Sequence, residues 1–283
     1  MFGEQEYKRL SMISVSHLYN LRQSKTYSKT RTHFEKTRPK KSTIGERRKP
    51  QPNGKPGYIR IDTVHQGDQD KVKGVYHINA VDEVTQFEIV CSVEKISEAY
   101  LLPVLKTMLD FFPFTLISFH SDNGSEYINQ HVARLLKKLL IEFTKSRSRH
   151  SNDNALAESK NASVVRKILG YHHIPQKYAS LVNDFNQAYL NPHINYHRPC
   201  LFPEIITDKK GKQRKKYLYK NMMTPYDKLK SLPHAKSYLK DGISFNKMDK
   251  IALAITDNQS ADRLQKARRL LFKTIDERRV NQA

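Results

Sequence analysis

The sequence predicts an α/β protein in which a mixed five-stranded sheet is flanked by helices. Short, β-prone apolar segments bounded by turn residues occur in the middle of the chain, and they are interleaved with longer segments of helical spacing. Their order is β-β-β-α-β-α-β-α, which is typical of a mixed sheet covered by helices. With 283 residues, the chain is long enough to bury a full core around such a sheet.

Five segments have the composition of strands. The Asp82-Glu83-Val84-Thr85 link between the second and the third is short enough for an antiparallel hairpin. The fourth is a buried-type strand that ends at Asp122. The five predicted strands are Tyr58–Val64, Gly74–Asp82, Gln86–Val93, Leu116–Phe119 and Ile141–Thr144.

The predicted helices have apolar residues at intervals of three and four. They cover residues 97–112, 128–140, 154–169 and 176–191, and a basic helix covers 262–279. A short helix over residues 11–22 has Ser14 as a candidate cap. It is either a recognition helix or an ordinary amphipathic helix, and periodicity alone does not separate the two.

The charge of the chain points to a polyanion as partner. The net charge is +22, and it is concentrated at the two ends, because basic and acidic residues balance between 58 and 170. We expect a neutral catalytic body between arms that grip nucleic acid. Residues 23–57 are basic and poor in apolar residues. Because such a segment cannot form a core, we expect it to be disordered in the absence of DNA. Residues 209–220 carry seven basic side chains and no acidic one.

Cysteine content and hydropathy exclude other classes. The two cysteines, Cys91 and Cys200, stand apart, so a zinc site built on cysteine pairs is excluded and a disulfide is not expected. The sequence shows no cleavable signal and no apolar run of membrane-spanning length. We therefore expect a cytoplasmic protein.

Three carboxylates are candidates for a metal site. Asp62 lies within a strand, Asp122 where a strand ends, and Glu158 on a helix, with 35 residues between the last two. Close together they would repel one another unless divalent cations bind, and oxygen ligands favour Mg²⁺ or Mn²⁺. Each also has a structural explanation: a salt-bridged strand residue, a turn and a solvated helix carboxylate.

Three segments around these acids resemble the signatures of the retroviral-integrase superfamily, and most closely those of DDE transposases of bacterial insertion sequences. The 35-residue gap is also the one usual in that superfamily. Two later segments resemble further transposase motifs. The five segments are Ile61-Asp62-Thr63-Val64, Ser121-Asp122-Asn123-Gly124-Ser125-Glu126-Tyr127, Asn152-Asp153-Asn154-Ala155-Leu156-Ala157-Glu158-Ser159-Lys160, Tyr196-His197-Arg198-Pro199 and Thr224-Pro225-Tyr226-Asp227-Lys228-Leu229.

The resemblance implies an RNase H-like fold and a transposase or integrase that cleaves DNA and transfers strands. It assigns Asp62, Asp122 and Glu158 to catalysis, as ligands of two Mg²⁺ or Mn²⁺ ions. It implies double-stranded DNA as partner, both transposon ends and target, a homodimer or higher oligomer on that DNA, and a location with the bacterial nucleoid.

Further residues near the acids are candidate DNA contacts. Asn123 would shape the turn that holds Asp122. Five others lie close in sequence to Glu158 and either contact phosphates or form a solvated basic face. These five are Lys145, Arg147, Arg149, His150 and Lys160.

The predicted organisation has four parts. Residues 1–22 are a remnant of a helix-turn-helix region, 23–57 a basic linker, 58–200 the RNase H-like catalytic core, and 201–283 a basic, flexible C-terminal region. Within the last part, we expect residues 204–221 to be an insertion that binds DNA as a disordered loop. Two alternatives stay open: a truncated or decayed transposase that binds DNA without transposing, and an RNase H-like nuclease.

Overall fold

The computed structural model describes residues 8, 12–30, 43–122, 126–147, 150–208 and 211–280. The chain divides into two compact units, Met1–Ser42 and Thr43–Ala283. In the first unit, α1 (Val15–Gln23) and α2 (Lys25–Thr30) are helical. The Ser14 hydroxyl accepts a hydrogen bond from the His17 amide at 3.2 Å, which confirms the predicted cap.

The second unit is built on a mixed sheet in the order β1-β8-β7-β2-β5-β6. Of these strands, β5 alone runs against the others, since it pairs antiparallel with both β2 and β6. The bounds are β1 Glu46–Arg47, β2 Tyr58–His65, β5 Tyr76–Asp82, β6 Glu88–Val93, β7 Ser118–Ser121 and β8 Glu142–Lys145, with a small hairpin of β3 Asp68–Gln69 and β4 Val72–Lys73.

The mixed α/β fold predicted from the sequence is confirmed. Its main sheet has six strands where the sequence predicted five. Strand β1 pairs parallel with β8 at residues that the sequence assigned to the basic linker. A two-residue strand has no internal periodicity, so its pairing is visible only in the folded chain.

Helices cover both faces of the sheet. On one face, α3 and α4 pack on apolar residues of the central strands such as Ile59, Ile61 and Ile89. On the other, the helices between 155 and 196 and the long C-terminal helix bury Val64 and Val90. The helices are α3 Glu98–Phe111, α4 Gln130–Lys138, α5 Ala155–Lys160, α6 Lys167–Leu169, α7 Ala179–Phe185, α8 Asn191–Tyr196, α9 Pro225–Lys230, α10 Phe245–Ala252 and α11 Asp257–Val280, with π-helical turns Asn161–Arg166 and Asn186–Leu190.

The C-terminal region is part of the core, which corrects the expectation of a flexible extension. The two later motifs meet there, since the rings of Tyr196 and Tyr226 lie 5.2 Å apart. Tyr226 is buried and its hydroxyl donates to Asp249 at 2.6 Å. Leu264 and Leu271 of α11 are buried in the other layer. Apolar residues spaced along these helices contribute to the core, although the segment as a whole is basic.

A second sheet consists of two antiparallel strands, β9 (Cys200–Thr207) and β10 (Gln213–Met223). The basic composition of residues 204–221 predicted a disordered loop, and the pairing of the two strands corrects that expectation. None of the helices in the described part of the chain combines the length and apolar character needed to cross a bilayer.

Gly57 sets the start of β2, the strand that carries Asp62. Its φ of +104° lies in a region that favours glycine, and a Cβ would stand 2.4 Å from the Thr115 carbonyl oxygen. The Gly57 amide donates to Asp82 Oδ1 at 2.7 Å, and its carbonyl accepts from the Ser118 amide at 3.0 Å. The turn therefore aligns β2 with β7, the strand that leads to Asp122.

Candidate active site

The three predicted acids lie on adjacent elements. Asp62 is in β2, and the parallel pairing of β2 with β7 places Ile61 opposite Ser121. Asp122 follows Ser121 directly, so the register brings it level with Asp62. Glu158 belongs to α5, which packs against β2 and β5.

Two asparagines fasten the helical segment that carries Glu158 to β2. Asn154 donates from Nδ2 to the Ile61 carbonyl oxygen at 3.0 Å, and Asn161 donates from Nδ2 to Asp62 Oδ2 at 2.7 Å. Glu158 is four residues after the first and three before the second, which places all three on one side of the helix. The helix therefore presents Glu158 on the side that faces Asp62.

The charges of the three acids interact. The pKa of Asp62 is raised to about 6, mainly by burial, and the negative charges of Asp122 and Glu158 add to this rise, while hydrogen bonds from the Thr63 amide and from Asn161 act in the opposite direction. An acid feels neighbouring charges in this way only when they lie within a few ångströms to about one Debye length. Three acids that are distant in sequence thus share one electrostatic environment.

A fourth carboxylate adjoins the cluster. Burial raises the pKa of Glu126, and the charge of Asp122 raises it further. The adjacent Tyr127 is fully buried, and its hydroxyl lies 2.5 Å from Thr63 Oγ1. Burial raises the pKa of the Tyr127 phenol, and the negative charges of Glu126, Asp62 and Asp122 add to this rise. The Tyr127 hydroxyl therefore stays neutral beside the acids.

Two residues that support the acids, Asn79 and Tyr127, are not among the candidates predicted from the sequence. Asn79 lies opposite Asp62 on β5 and donates from Nδ2 to Asn161 Oδ1 at 3.0 Å. Asn79, Asn161 and Asp62 therefore form a chain of hydrogen bonds from the sheet to the candidate site. An asparagine between Ile78 and Ala80 in a predicted strand was the signal for Asn79, and the end of the Ser121–Tyr127 motif was the signal for Tyr127.

The donor set fits hard divalent cations, because it consists of carboxylate oxygens whose mutual repulsion a cation would relieve. Within the described part of the chain, no three histidine, cysteine, aspartate or glutamate side chains are close enough to form a complete metal-binding group.

Two of the candidate DNA contacts face inward. The Lys160 ammonium is buried, lies 3.5 Å from Glu88 Oε2 and donates to Cys200 Sγ at 3.2 Å. Burial raises the pKa of Glu88, although the charge of Lys160 acts against the shift. Lys145 is also buried and donates to the Ile44 carbonyl oxygen at 2.5 Å. Contact of either ammonium with DNA stays a prediction.

The other candidates are more accessible or lie outside the description. Arg147 donates to Asp153 from its guanidinium at 2.9 and 3.0 Å, and this pairing holds the pKa of the Asp153 carboxyl well below its usual range. His150 is exposed. Asn123 and Arg149 lie outside the described residues.

Comparison with known proteins gives short or distant similarities. No protein-family model matches the chain. Over 117 residues the chain is 30% identical to the uncharacterized protein y4rM of Sinorhizobium fredii (strain NBRC 101917 / NGR234), a match that covers 41% of this chain and 33% of that protein. The chain thus spans about a third of the length of this curated relative.

Two solved structures are similar in fold to this chain. One is the simian T-cell lymphotropic virus intasome in complex with PP2A regulatory subunit B56 gamma, with a TM-score of 0.40, 15% identity and coverage of 69% of this chain and 65% of that one. The other is the HTLV-2 integrase catalytic core domain in complex with magnesium, in a trimeric form, with a TM-score of 0.37, 13% identity and coverage of 61% and 96%.

Proposed function

We propose that this protein is a DDE-type polynucleotidyl transferase, a transposase or integrase that cleaves DNA and joins it to a target. The observation that carries the proposal is geometric: the pairing of β2 with β7 brings Asp122 level with Asp62, and Asn154 and Asn161 attach the helical segment of Glu158 to the same strand. A strand, a strand end and a helix each supply one acid, in a chain with a net charge of +22. Clustered acids that can bind divalent cations, in a protein whose charge attracts a polyanion, are an arrangement that suits catalysis on a phosphodiester.

Asp62, Asp122 and Glu158 would hold two Mg²⁺ or Mn²⁺ ions. When bound, such ions activate the attacking oxygen and stabilise the leaving oxygen of a phosphodiester. The remaining residues position the ligands. Asn161 engages one oxygen of Asp62 and the Thr63 amide engages the other, at 2.7 and 2.9 Å, so the plane of this carboxylate is set before any cation binds.

The reaction would proceed in two transfers. In the first, a water oxygen bonds to phosphorus at the element end as the bond to the 3′ oxygen breaks, which leaves a 3′-hydroxyl. In the second, that hydroxyl oxygen attacks a target phosphodiester and displaces its 3′ oxygen. Each step breaks one phosphorus–oxygen bond and forms another, so no nucleoside triphosphate is consumed.

Paired element ends require paired active sites. We therefore propose that a dimer or a higher oligomer of the chain assembles on double-stranded DNA.

The test compares Glu158→Gln with Asp184→Asn. Both acids are exposed on helices, so neither change should unfold the protein. The assay follows a labelled duplex with the DNA that flanks the coding sequence, together with a supercoiled target plasmid, in Mg²⁺ or Mn²⁺. We expect strand transfer by the wild type and by Asp184→Asn, and none by Glu158→Gln, while DNA binding persists in all three.

The alternatives give different products in the same assay. A nuclease would yield cleaved ends without joined products. A decayed transposase would bind the duplex and yield neither product. An unchanged strand-transfer rate in Glu158→Gln would contradict the catalytic assignment.

A further inference from the structure

The ribbon formed by β9 and β10 extends from the body as an antiparallel pair. Its outer half is regular, with Pro203 opposite Tyr217 and Thr207 opposite Gln213. Five residues of strand in a row span about 16 Å. Near its root the pairing is interrupted, because four residues of β10 between Tyr217 and Met222 stand opposite one residue of β9.

The ribbon is exposed and basic. Residues 200–223 contain seven lysines and arginines against two acids. Arg214, Lys215 and Lys216 are consecutive and exposed, so alternation along the strand points basic side chains from both faces of the ribbon. A surface charged in this way attracts a polyanion before contact is made.

Apolar side chains also reach solvent on the ribbon. Ile205 is 64% exposed, and Tyr219, within the interruption, is 85% exposed. Water alone gives no reason to expose such side chains on an arm. In a DNA groove they would contact base edges, where the thymine methyl group is an apolar partner.

The root of the ribbon is attached beside the candidate active site. Cys200 accepts the hydrogen bond from Lys160, which is two residues after Glu158 on the same helix. Leu201 accepts from Gln86 Nε2 at 3.0 Å, and Phe202 is buried with Lys228 over its ring. The ribbon is therefore held in place next to the helix that carries a catalytic acid.

We propose that the β9–β10 ribbon is a DNA-binding arm that enters the major groove of a duplex beside the candidate active site. The B-form major groove is about 12 Å wide and accepts a two-stranded ribbon, whose strands are about 4.8 Å apart. The inference rests on the proposed function only in that the duplex is the substrate. The ribbon would extend the contact with that substrate beyond the reacting phosphate.

A second copy of the chain is the other occupant to consider, because the exposed isoleucines could pair two ribbons. Two ribbons with the same excess of basic residues would repel each other, whereas DNA neutralises that charge. The charge complementarity therefore favours DNA, and self-association is one outcome that the test can detect.

The test compares two triple variants of the full-length chain with equal changes in charge. The ribbon variant is Arg214→Gln, Lys215→Gln and Lys216→Gln. The control variant is Arg134→Gln, Lys137→Gln and Lys138→Gln in α4. All six side chains are exposed. Binding to a labelled DNA duplex and to an RNA duplex of the same sequence is measured by fluorescence anisotropy in EDTA, over a range of salt concentrations.

We expect the ribbon variant to lose about a hundredfold in affinity for DNA near 0.1 M salt. The slope of log K against log salt should become shallower by about 2.7, since each lost phosphate contact contributes about 0.9. The RNA duplex should show little change, because its major groove is too deep and narrow for the ribbon. The control variant should retain its affinity within about threefold.

Equal losses in the two triple variants would overturn the proposal, as would equal losses for DNA and RNA. So would a ribbon variant that alters sedimentation of the free protein but leaves DNA affinity unchanged, because that result identifies a self-association surface. Since binding is measured in EDTA, the result does not depend on catalysis. A failed strand-transfer assay would remove the proposed function and leave the ribbon's DNA contact standing.

Discussion

Lys160 either forms an internal ion pair with Glu88 or contacts DNA. The variant Lys160→Met tests which of these two roles it has. The change keeps an unbranched side chain that is one atom shorter and removes the cation that faces Glu88 at 3.5 Å, where both side chains are almost fully buried. At an effective dielectric constant of 20, two unit charges at that distance attract by about 5 kcal/mol. Removing one partner of a buried pair typically costs about 3–5 kcal/mol.

Protonation of Glu88 limits this loss. Bringing a carboxyl with an ordinary pKa of 4.5 to its neutral form costs about 3 kcal/mol at pH 7 and about 1 kcal/mol at pH 5. Without Lys160, the folded pKa of Glu88 lies further above the unfolded value, so stability is lost as the pH rises through that window. We therefore expect Lys160→Met to destabilise the fold by about 3 kcal/mol at pH 7 and by about 1 kcal/mol at pH 5.

Urea unfolding at the two pH values measures this effect. Glu88→Gln added to Lys160→Met should restore most of the stability at pH 7, because it removes the unpaired charge. Lys167→Met, at an exposed position of the same helical segment, should stay within about 0.5 kcal/mol of the wild type. If Lys160→Met is as stable as the wild type at pH 7 and binds DNA more weakly, Lys160 is a phosphate ligand and the ion-pair reasoning is refuted.

Three further predictions concern the sheet and the candidate site. Burial lowers the pKa of His120 to about 4 from 6.5, so its neutral form stabilises the fold above pH 6.5, and this contribution is lost as the pH falls towards 4. When the pH is lowered from 7 to 5, the unfolding free energy of His120→Gln, measured in urea, should therefore decrease by about 2 kcal/mol less than that of the wild type. Gly57→Ala should destabilise the fold by about 3 kcal/mol or abolish soluble expression, because its Cβ would lie 2.4 Å from the Thr115 carbonyl oxygen; unchanged thermal unfolding would contradict the turn's role. Asn161→Ala should raise the Mg²⁺ concentration for half-maximal strand transfer by roughly 10- to 100-fold, because Asp62 loses the donor that orients it, whereas Ser159→Ala should leave it unchanged; an equal Mg²⁺ requirement in both would remove Asn161 as a positioning residue.

The central strands and the first long helix were predictable because their patterns are local. The expected strand Tyr58–Val64 is observed as Tyr58–His65, and the expected helix 97–112 as Glu98–Phe111. Apolar alternation and helical spacing are properties of neighbouring residues, so they appear before the chain folds. The pairing of the ribbon strands joins residues such as Ile206 and Arg214 across a turn, and a lysine-rich segment has no local pattern to reveal it.

The acids of the candidate site were predictable, and their surroundings were not. Asp62, Asp122 and Glu158 stand in recognisable motifs at a recognisable spacing. The hydrogen bonds from Asn79 through Asn161 to Asp62 connect residues on a strand, a helical turn and a second strand. These residues become hydrogen-bond partners only when the strands and the helix pack together, so their spacing along the sequence does not predict the contacts.

The sequence by itself determined the α/β class, the basic character of the two ends and the identity of three acids that suit divalent cations. Only the tertiary structure decided which charges share an environment and which are buried. Lys160 illustrates the difference, since its place in a motif suggested a phosphate contact and the fold turns its ammonium towards Glu88. The physical reason is that burial and Coulomb energy depend on distance in space, and the fold alone sets that distance for residues far apart in the chain.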